Sequence, residues 1–444
     1  MKSVRDTILN YNLIKEDEII GVALSGGSDS MAMLHYLNAL SEEMCFEIVA
    51  IHVNHKIREE SYDEEDFVMN YCRKNHIRAY KFHIDVPKLA KQQNVSIETA
   101  ARDARRGVFK SLIQKGIVDK VAIAHHMTDQ AETVLLHLFR GSGLAGAKGM
   151  EISKDGTYIR PLLETSKDEI LSYINENDIP YVQDSSNEES IYTRNYIRNE
   201  IMPLILKKWP NAISSLNSFA KSCSDDDEYL NSLVFLDALI VEDKLVKIPA
   251  SYFLNANAIV NRIIFKAFKL IDVKVDIEKK HIELIKDLAI NGENGSKLAL
   301  PHSISVHKEY DYVTLVNKYK EPAHLDMELK VGEFKLTSIG TLSVKKVRKF
   351  DSTDCLYLDI KKVPKEATWR LKQNGDIFEK FGGGTKKLKD FLIDKKVPAR
   401  LRSTLPVLAV GNEILAIAGV EISNKVRLDS STTTAYMVSF TAEQ

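Results

Sequence analysis

The sequence lacks the features that would assign it to a membrane or to the secretory pathway. No apolar run in its 444 residues approaches the roughly 18–20 residues that a membrane-spanning helix needs. The segment Met1–Asp6 is polar and carries an early acid, unlike the start of a secretory signal. We therefore expect a cytoplasmic protein.

Cysteine is also scarce, which excludes several kinds of site. The four cysteines are Cys45, Cys72, Cys223 and Cys355, and no two form a C-x-x-C pair. This spacing supports neither a disulfide framework nor a zinc knuckle nor a cysteine-ligated cluster. We expect the four thiols to be small buried apolar side chains.

The chain has almost no net charge, since 61 basic and 62 acidic residues give −1. Such a balance argues against a general polyanion binder. Between Arg370 and Arg402, however, ten basic residues face four acidic ones, a local net charge of +6. A basic face of this kind suits a phosphate backbone, although a solvated lysine-rich surface is the better explanation of this stretch taken alone.

Residues 19–160 alternate apolar strands with amphipathic helices, a pattern typical of βαβ units. Strands buried on both faces appear as unbroken apolar runs, and four such runs occur here. The segment therefore predicts an α/β fold with a doubly wound parallel sheet. The predicted strands are Ile19–Leu24, Glu47–Val53, Ala79–Phe82 and Val121–Ala124, with helices at about 31–37, 63–74 and 97–112 between them.

The pattern changes twice after the sheet. From about Trp209 apolar stripes at helical spacing dominate, and the acidic run Asp225–Glu228 between two of them predicts a helix start or a loop. Short strands are predicted at 304–306 and 312–316. We predict three domains, a catalytic one at 1–208, a mainly helical one at 209–318 and a smaller α+β one at 319–444. In the last we expect strands at 341–344 and 406–410 and a helix at 386–394.

The strongest motif lies between the first strand and its helix and reads Ser25-Gly26-Gly27-Ser28-Asp29-Ser30. Adjacent glycines let main-chain N–H groups approach an anion, and the following helix directs its positive end at the same place. The loop has no G-x-x-x-x-G-K-[ST] lysine and no G-x-G-x-x-G fingerprint. The flanking strand and helix favour a phosphate loop over a Ser/Gly turn that only begins a helix.

A second constellation follows the strand that ends near Ala124. It consists of His125, His126, Asp129 and Glu132, with both carboxylates on one face of a helix start. Two acids beside a triphosphate imply an intervening Mg²⁺. Zinc held by His126 and the acids is a minority alternative, and helix capping by Asp129 is a third that can coexist with metal binding.

The Ser25–Ser30 loop resembles the pyrophosphate-binding loop of the N-type ATP pyrophosphatases, the PP-loop superfamily. That resemblance implies an adenine nucleotide α-hydrolase-like sheet and cleavage of ATP between its α- and β-phosphates. It also implies that the loop holds pyrophosphate and that Asp29 lies near magnesium.

Further segments resemble the tRNA(Ile)-lysidine synthetase family in particular. Lys56-Ile57 replaces the family's usual Gly-Leu, and Thr128 stands where many members carry an acid. The likeness covers residues 20–205 and about 368–428. The matching segments are His52-Val53-Asn54-His55, Ala124–Thr133, Arg140–Leu144, Arg160–Leu163, Asp184–Asn187, Arg194-Asn195-Tyr196-Ile197-Arg198 and Lys386–Leu392.

This family resemblance implies a ligase that uses ATP and Mg²⁺ and acts on tRNA(Ile) with a CAU anticodon. Free L-lysine would be joined to the wobble cytidine through an adenylated intermediate. A homodimer is left open as the assembly.

The resemblance also implies roles for individual residues. Asp29, His126, Asp129 and Glu132 are the expected catalytic residues, and all of these except His126 are the expected magnesium ligands. His126 and Glu132 are alternative bases for the lysine amine.

The nucleotide contacts would come from the Ser25–Ser30 loop with His52, Asn54 and His55. The expected tRNA or substrate contacts are Arg105, Arg140, Arg194, Asn195, Arg198, Lys386, Lys387 and Lys389. For Arg194 and Arg198, ordinary salt bridging is an equal alternative. For His52 and His55, hydrogen bonding of strand-end histidines to loops is a similarly strong alternative.

Three rival functions have less support from the sequence. Thiolation of tRNA needs a persulfide cysteine or paired cluster cysteines, and neither motif is present. A small-molecule amidotransferase of this superfamily would have a glutaminase domain or an N-terminal cysteine nucleophile, and neither is recognisable in the sequence. A non-catalytic RNA-binding module would have no use for an ATP-cleaving loop that faces two acids.

Overall fold

A computed structural model describes residues 1–57, 60–182, 193–273, 277–317, 324–337, 339–350 and 355–442. The chain divides into two compact units, Met1–Tyr229 and Leu230–Gln444. The motif at residues 184–187 lies outside the described residues. Within them, no helix is both long and apolar enough to cross a membrane.

The first unit is built on a six-stranded sheet with helices around it. Its strands are β1 (Ile19–Ala23), β2 (Glu47–Asn54), β3 (Arg78–His83), β4 (Lys120–Ala122), β5 (Ser153–Lys154) and β6 (Tyr158–Ile159). Its helices are α1 (Lys2–Asn10), α2 (Ser28–Met44), α3 (Ser61–Lys74), α4 (Val86–Gln93), α5 (Ile97–Gln114), α6 (Met127–Phe139), α7 (Leu144–Ala147), α8 (Lys167–Glu176), α9 (Thr193–Tyr196), a π-helical turn (Ile197–Ile201), α10 (Met202–Lys208) and α11 (Ala212–Ser232), which ends in the second unit.

The strand order β3-β2-β1-β4-β6-β5 confirms the predicted doubly wound parallel sheet. β1 pairs in parallel with β2 on one side and with β4 on the other. The direction of winding therefore reverses at β1, and sheets of this kind bind ligands beside the carboxyl ends of the strands at such a point. The loops after β1 and β4, which carry both predicted constellations, meet there.

Burial explains why this part of the sheet could be predicted from the sequence. Ile20 and Val22 of β1 are fully buried, as are Met31, Leu34 and Leu37 on the inner face of α2. The prediction missed the edge hairpin of β5 and β6, because strands of two residues are too short to show a period. It also extended the fourth strand too far, since β4 ends at Ala122.

The second unit begins with a smaller sheet and two helices. Val246, Ile264, Ile285 and Val306 belong to its core. The strands predicted at 304–306 and 312–316 are present, and three further strands join them in the order β7-β8-β11-β10-β9. The elements are β7 (Ile240–Glu242), β8 (Leu245–Pro249), a 3₁₀ turn (Ala250–Leu254), α12 (Asn257–Leu270), α13 (Lys279–Asn291), β9 (Lys297–Leu300), β10 (Ile304–Glu309) and β11 (Tyr312–Val316).

The rest of the second unit consists of two further sheets that share one core around the fully buried Trp369. One has the order β12-β16-β19-β20-β17-β18 with β21 beside β20, and the other β13-β14-β22-β15. The elements are β12 (Asp326–Glu328), β13 (Gly332–Leu336), β14 (Gly340–Val347), β15 (Leu356–Asp359), β16 (Thr368–Leu371), β17 (Ile377–Glu379), β18 (Thr385–Lys387), α14 (Leu388–Asp394), α15 (Ala399–Arg402), β19 (Pro406–Val410), β20 (Glu413–Ile417), β21 (Glu421–Ile422) and β22 (Ala435–Ala442).

One expectation for this half of the chain and one for the cysteines need adjustment. The helix expected at 386–394 begins at Leu388, so Lys386 and Lys387 lie in β18. Cys45 is exposed at the C-cap of α2, where its backbone is in the left-handed conformation, whereas Cys72 and Cys223 are buried as expected. The threefold division of the chain stays a proposal.

The prediction of a helix start or loop at Asp225–Glu228 was wrong, because these residues lie inside α11. Asp227 is only 4% exposed, and its carboxylate lies 3.1 Å from Nζ of Lys148. A run of acids therefore includes one buried ion pair that joins α11 to the segment after α7. Sequence alone could not reveal this, since the partner is far away in the chain.

We predict that Asp227→Ala destabilises the first unit by roughly 1–3 kcal/mol, because Lys148 loses a buried partner. Asp226→Ala is the matched control, since Asp226 is exposed on the same helix. The free energy of unfolding of the full chain in urea measures both. Equal values for the two variants would show that the ion pair does not hold α11.

Candidate active site

The Ser25–Ser30 loop joins β1 to α2 and is shaped by its own hydrogen bonds. The N–H of Ser25 donates to Oγ of Ser30 (3.2 Å), and that hydroxyl donates to the carbonyl of Gly27 (3.0 Å). Gly26 has a φ of +91°, a backbone conformation that is unfavourable for any residue with a Cβ. The N–H of Gly27 likewise donates to Oγ of Ser25 (3.4 Å), so two main-chain amides are used within the loop. The N–H groups at the start of α2 remain to face an anion.

Lys167 is a site residue that the sequence reasoning missed. Its Nζ lies 2.5 Å from Oδ1 of Asp29 and 3.0 Å from Oγ of Ser28. Lys167 begins α8, whose N-cap is Ser166. The missing P-loop lysine was a reason to seek a cation elsewhere, but no local pattern identifies this one.

His126 caps α6 and faces two carboxylates. Its ring Nδ1 accepts the main-chain N–H of Thr128 (3.2 Å), and the main-chain N–H of His126 donates to Oδ2 of Asp129 (3.0 Å). Nε2 lies 3.7 Å from Asp29 and 3.6 Å from Asp129. Because Nδ1 is an acceptor, a neutral His126 carries its proton on Nε2 and points it at the acids. This geometry suits a donor better than a base.

Two arginines hold the acid pair of α6. Glu132 has no exposed surface, and its carboxylate accepts from Nε of Arg198 (2.6 Å) and Nε of Arg194 (3.1 Å). Oδ1 of Asp129 accepts from Nη2 of the same two arginines, at 2.8 and 3.2 Å. Arg198 lies in the π-helical turn, a feature often found at functional sites. The salt-bridging alternative for these arginines is therefore observed, inside the site.

Charge and burial act in opposite directions on Asp129. Burial alone would raise the pKa of its carboxyl, but the neighbouring imidazole of His126 and guanidinium of Arg194 outweigh burial and lower it. His125 behaves differently, because burial together with the neighbouring Arg160 lowers its pKa to about 3. The site thus holds Asp129 ionised and His125 neutral near pH 7.

The donor set fits magnesium only in part. Asp29 and Asp129 converge on His126 and keep 28% and 11% of their side-chain surface exposed. One or two carboxylates with substrate phosphates are a common set for Mg²⁺. Glu132 does not fit, because it is buried between two arginines. Among the described residues, no three His, Cys, Asp or Glu side chains are grouped to hold a metal by themselves.

A cleft of about 1510 Å³ opens beside these groups. His52 and His55 line it, and Nε2 of the first and Nδ1 of the second are buried without a hydrogen-bond partner. Burial lowers the pKa of both imidazoles, that of His55 to about 4. Two neutral, unsatisfied ring nitrogens in a polar cleft suit the binding of a ligand with hydrogen-bonding edges, as a nucleotide has.

Asn54 serves the protein rather than a ligand. Its amide donates to the carbonyl of Ser61 and to Glu65 (both 3.0 Å) and accepts the N–H of Lys56 (2.9 Å). Asn54 also lines the cleft, and its expected nucleotide contact stays a prediction. Lys56 has a φ of +51°, so the backbone adopts the conformation that glycine would favour at this departure from the family pattern.

The remaining predicted contacts are spread more widely. Arg105 lines the cleft, whereas Arg140 is exposed at the far end of α6 and Asn195 lies on α9 outside the cleft lining. In the second unit Lys386 is paired with Asp394. Lys387 and Lys389 are exposed, and no ion pair is found for either within the described residues.

Comparison with known families agrees with this architecture. A family model described as the PP-loop domain matches residues 2–205, and one described as the TilS substrate C-terminal domain matches residues 367–438. The first match confirms the predicted adenine nucleotide α-hydrolase-like sheet.

Curated relatives match along almost the whole chain. A tRNA(Ile)-lysidine synthase from Clostridium acetobutylicum is 34% identical, with 97% of each chain covered. One from Clostridium tetani is 34% identical over 97% of this chain and 96% of the relative. One from Caldanaerobacter subterraneus is 30% identical over 100% of this chain and 98% of the relative.

The loop geometry predicts different costs for its two glycines. Gly26→Ala forces a side chain into a left-handed backbone and should cost about 1–2 kcal/mol of stability. At Gly27 the nearest atom to an added Cβ is Oγ of Ser25 at 3.6 Å, so Gly27→Ala should fold with nearly unchanged stability. Thermal unfolding of both variants checks this, and an equal loss in both would contradict the conformational role of Gly26.

Proposed function

The chain belongs to the tRNA(Ile)-lysidine synthase family, and on that premise we propose the reaction that it catalyses. It is an ATP-dependent ligase that acts on tRNA(Ile). Free L-lysine is joined to the 2-position of the wobble cytidine in the CAU anticodon, with release of AMP and pyrophosphate. The observation that supports the proposal most strongly is the position of the Ser25–Ser30 loop. It lies after β1, where the winding of the sheet reverses, and Lys167 contacts its Asp29.

The chemistry requires activation of the base before the amine can attack. The cytosine 2-oxygen is a poor leaving group, so it first attacks the α-phosphorus of ATP, and the bond to the bridging oxygen of pyrophosphate breaks. The amides of the loop and the ammonium of Lys167 are suited to the charge that develops on this leaving group. Asp29 and Asp129 would hold magnesium, which offsets phosphate charge when it is bound.

The ε-amine of lysine then attacks carbon 2, and AMP leaves with the oxygen. The amine must be neutral, although its reference pKa is near ~10.4. Both bases considered from sequence are poorly placed, because Glu132 is buried and a neutral His126 presents a proton. Desolvation of the amine inside the cleft would lower its pKa instead.

Cysteine placement disfavours thiolation as the rival reaction. None of the four cysteines, all within the described residues, lines the cleft. Burial raises the pKa of Cys72 to about 11, so its thiol is a weak nucleophile at neutral pH. We further propose that the enzyme is cytoplasmic and that it acts on tRNA either as a monomer or as a homodimer.

Labelled lysine tests the proposed reaction directly. We expect the pure chain with ATP and total bacterial tRNA to place label in one RNA species. Asp129→Asn should reduce this incorporation at least ~100-fold, because one of the two carboxylates that would hold magnesium beside the reacting phosphates loses its charge. Lys167→Ala should slow ATP–pyrophosphate exchange more than Lys167→Arg, which keeps the charge.

Two results would count against this function. Pyrophosphate exchange that ignores RNA would indicate a small-molecule ligase, and no exchange at all would indicate a binding module. Full activity in Asp129→Asn would remove that carboxylate from the site, while circular dichroism confirms that each variant is folded.

The basic face of the second unit is proposed to bind the tRNA backbone. Alanine at both Lys387 and Lys389 should weaken tRNA binding and reduce the slope of log affinity against log salt by about 1 for each lost phosphate contact. Lys386→Ala should have a smaller effect, because Asp394 already pairs with this lysine. An unaltered slope in the double variant would identify the patch as solvated surface.

A further inference from the structure

An apolar groove lies on the first unit outside the cleft. It has a volume of about 500 Å³ and is formed where α6, α10 and α11 meet. Leu135, Ile205 and Leu216 contribute apolar surface to it, and Trp209 and Lys208 belong to its lining. None of these residues was part of the site predicted from sequence.

Trp209 is unusually placed for a tryptophan. It ends α10 and keeps 62% of its surface exposed, whereas the chain's other tryptophan, Trp369, is fully buried. Exposed aromatic rings are the surfaces on which unstacked nucleobases stack in single-stranded RNA recognition. Packing inside the protein does not explain this ring.

The charge of the groove agrees with a nucleic acid. Of the residues that line it in the described part of the chain, Lys208 is the one charged side chain, and no acid is among them. The polar side chains of Asn211 and Ser215 are also in the lining and could bond to a base edge. An apolar floor with an aromatic ring, a cation and a few polar groups matches a base with its phosphate.

The groove is built on the same helices as the active site. Leu135 follows Glu132 by three residues on α6, about 4.5 Å along the helix axis. Ile205 lies on α10, which continues directly from the π-helical turn that holds Arg198. The cleft and the groove therefore share α6 and the continuous segment from the π-helical turn to α10, which is the basis for assigning both to one RNA.

We propose that the groove at Trp209 binds an unstacked nucleobase of the tRNA, next to the cytidine that enters the cleft. This rests on the proposed function and adds a subsite that would read the anticodon. Stacking on Trp209 would supply affinity, and Lys208 would pair with the phosphate. A second copy of the chain, the other occupant that such an apolar groove could take, becomes an outcome of the test.

Binding of intact and abasic tRNA(Ile) to the full chain tests the subsite. Trp209→Ala should weaken binding of intact tRNA roughly 10-fold, the scale of one stacked base. It should have little effect on tRNA that is abasic at the nucleotide beside the target cytidine. Trp209→Phe should recover most of the affinity, and Phe139→Ala, which removes another exposed ring outside the groove, is the matched control.

Tryptophan fluorescence gives an independent readout, because Trp209 is the one exposed tryptophan. We expect intact tRNA to quench it and to protect it from acrylamide, and abasic tRNA to do neither. Equal losses for intact and abasic tRNA would overturn the subsite, as would a dimer that Trp209→Ala dissociates without change in tRNA affinity. Wild-type chain that forms no AMP with tRNA would instead refute the proposed function.

Discussion

A row of charged and polar side chains connects the elements that form the candidate active site. Lys167 pairs with Asp29, His126 lies between Asp29 and Asp129, and Asp129 pairs with Arg198. These residues come from α8, α2, α6 and the π-helical turn, so the ion pairs fix four separate segments around the end of β1. Removal of one member would leave a partly buried charge without its partner, which is the costly way to lose such a pair.

This balance decides what the cleft can bind. The arginines already neutralise the acids of α6, so the acid pair alone does not require a metal. The negative charge still to be offset is that of the nucleotide, for which the loop amides and Lys167 are available, together with the magnesium ion that we propose Asp29 and Asp129 hold. Glu132 then serves as a positioning residue, since it orients Arg194 and Arg198 without reaching the cleft.

Sequence reasoning recovered the parts of the fold that repeat locally. Buried parallel strands such as Ile19–Ala23 are continuous apolar runs, and the loop after them has a composition that only a few functions use. Contacts between segments that are distant in the chain could not be predicted from the sequence. Lys167 meets Asp29 across 138 positions and Arg198 meets Asp129 across 69, and neither pairing leaves a periodic trace in the sequence. The buried pair inside the acidic run of α11 was missed for the same reason.

The role of the loop between β1 and α2 depends on where ATP is broken, because we assign this loop to the two phosphates that leave together. The direct measurement is ³¹P NMR of ATP turned over by the full chain with tRNA(Ile) and lysine. We expect AMP and pyrophosphate as the products. ADP and orthophosphate would contradict this assignment, because the γ-phosphate would then be the group transferred and the Ser25–Ser30 loop would have another role.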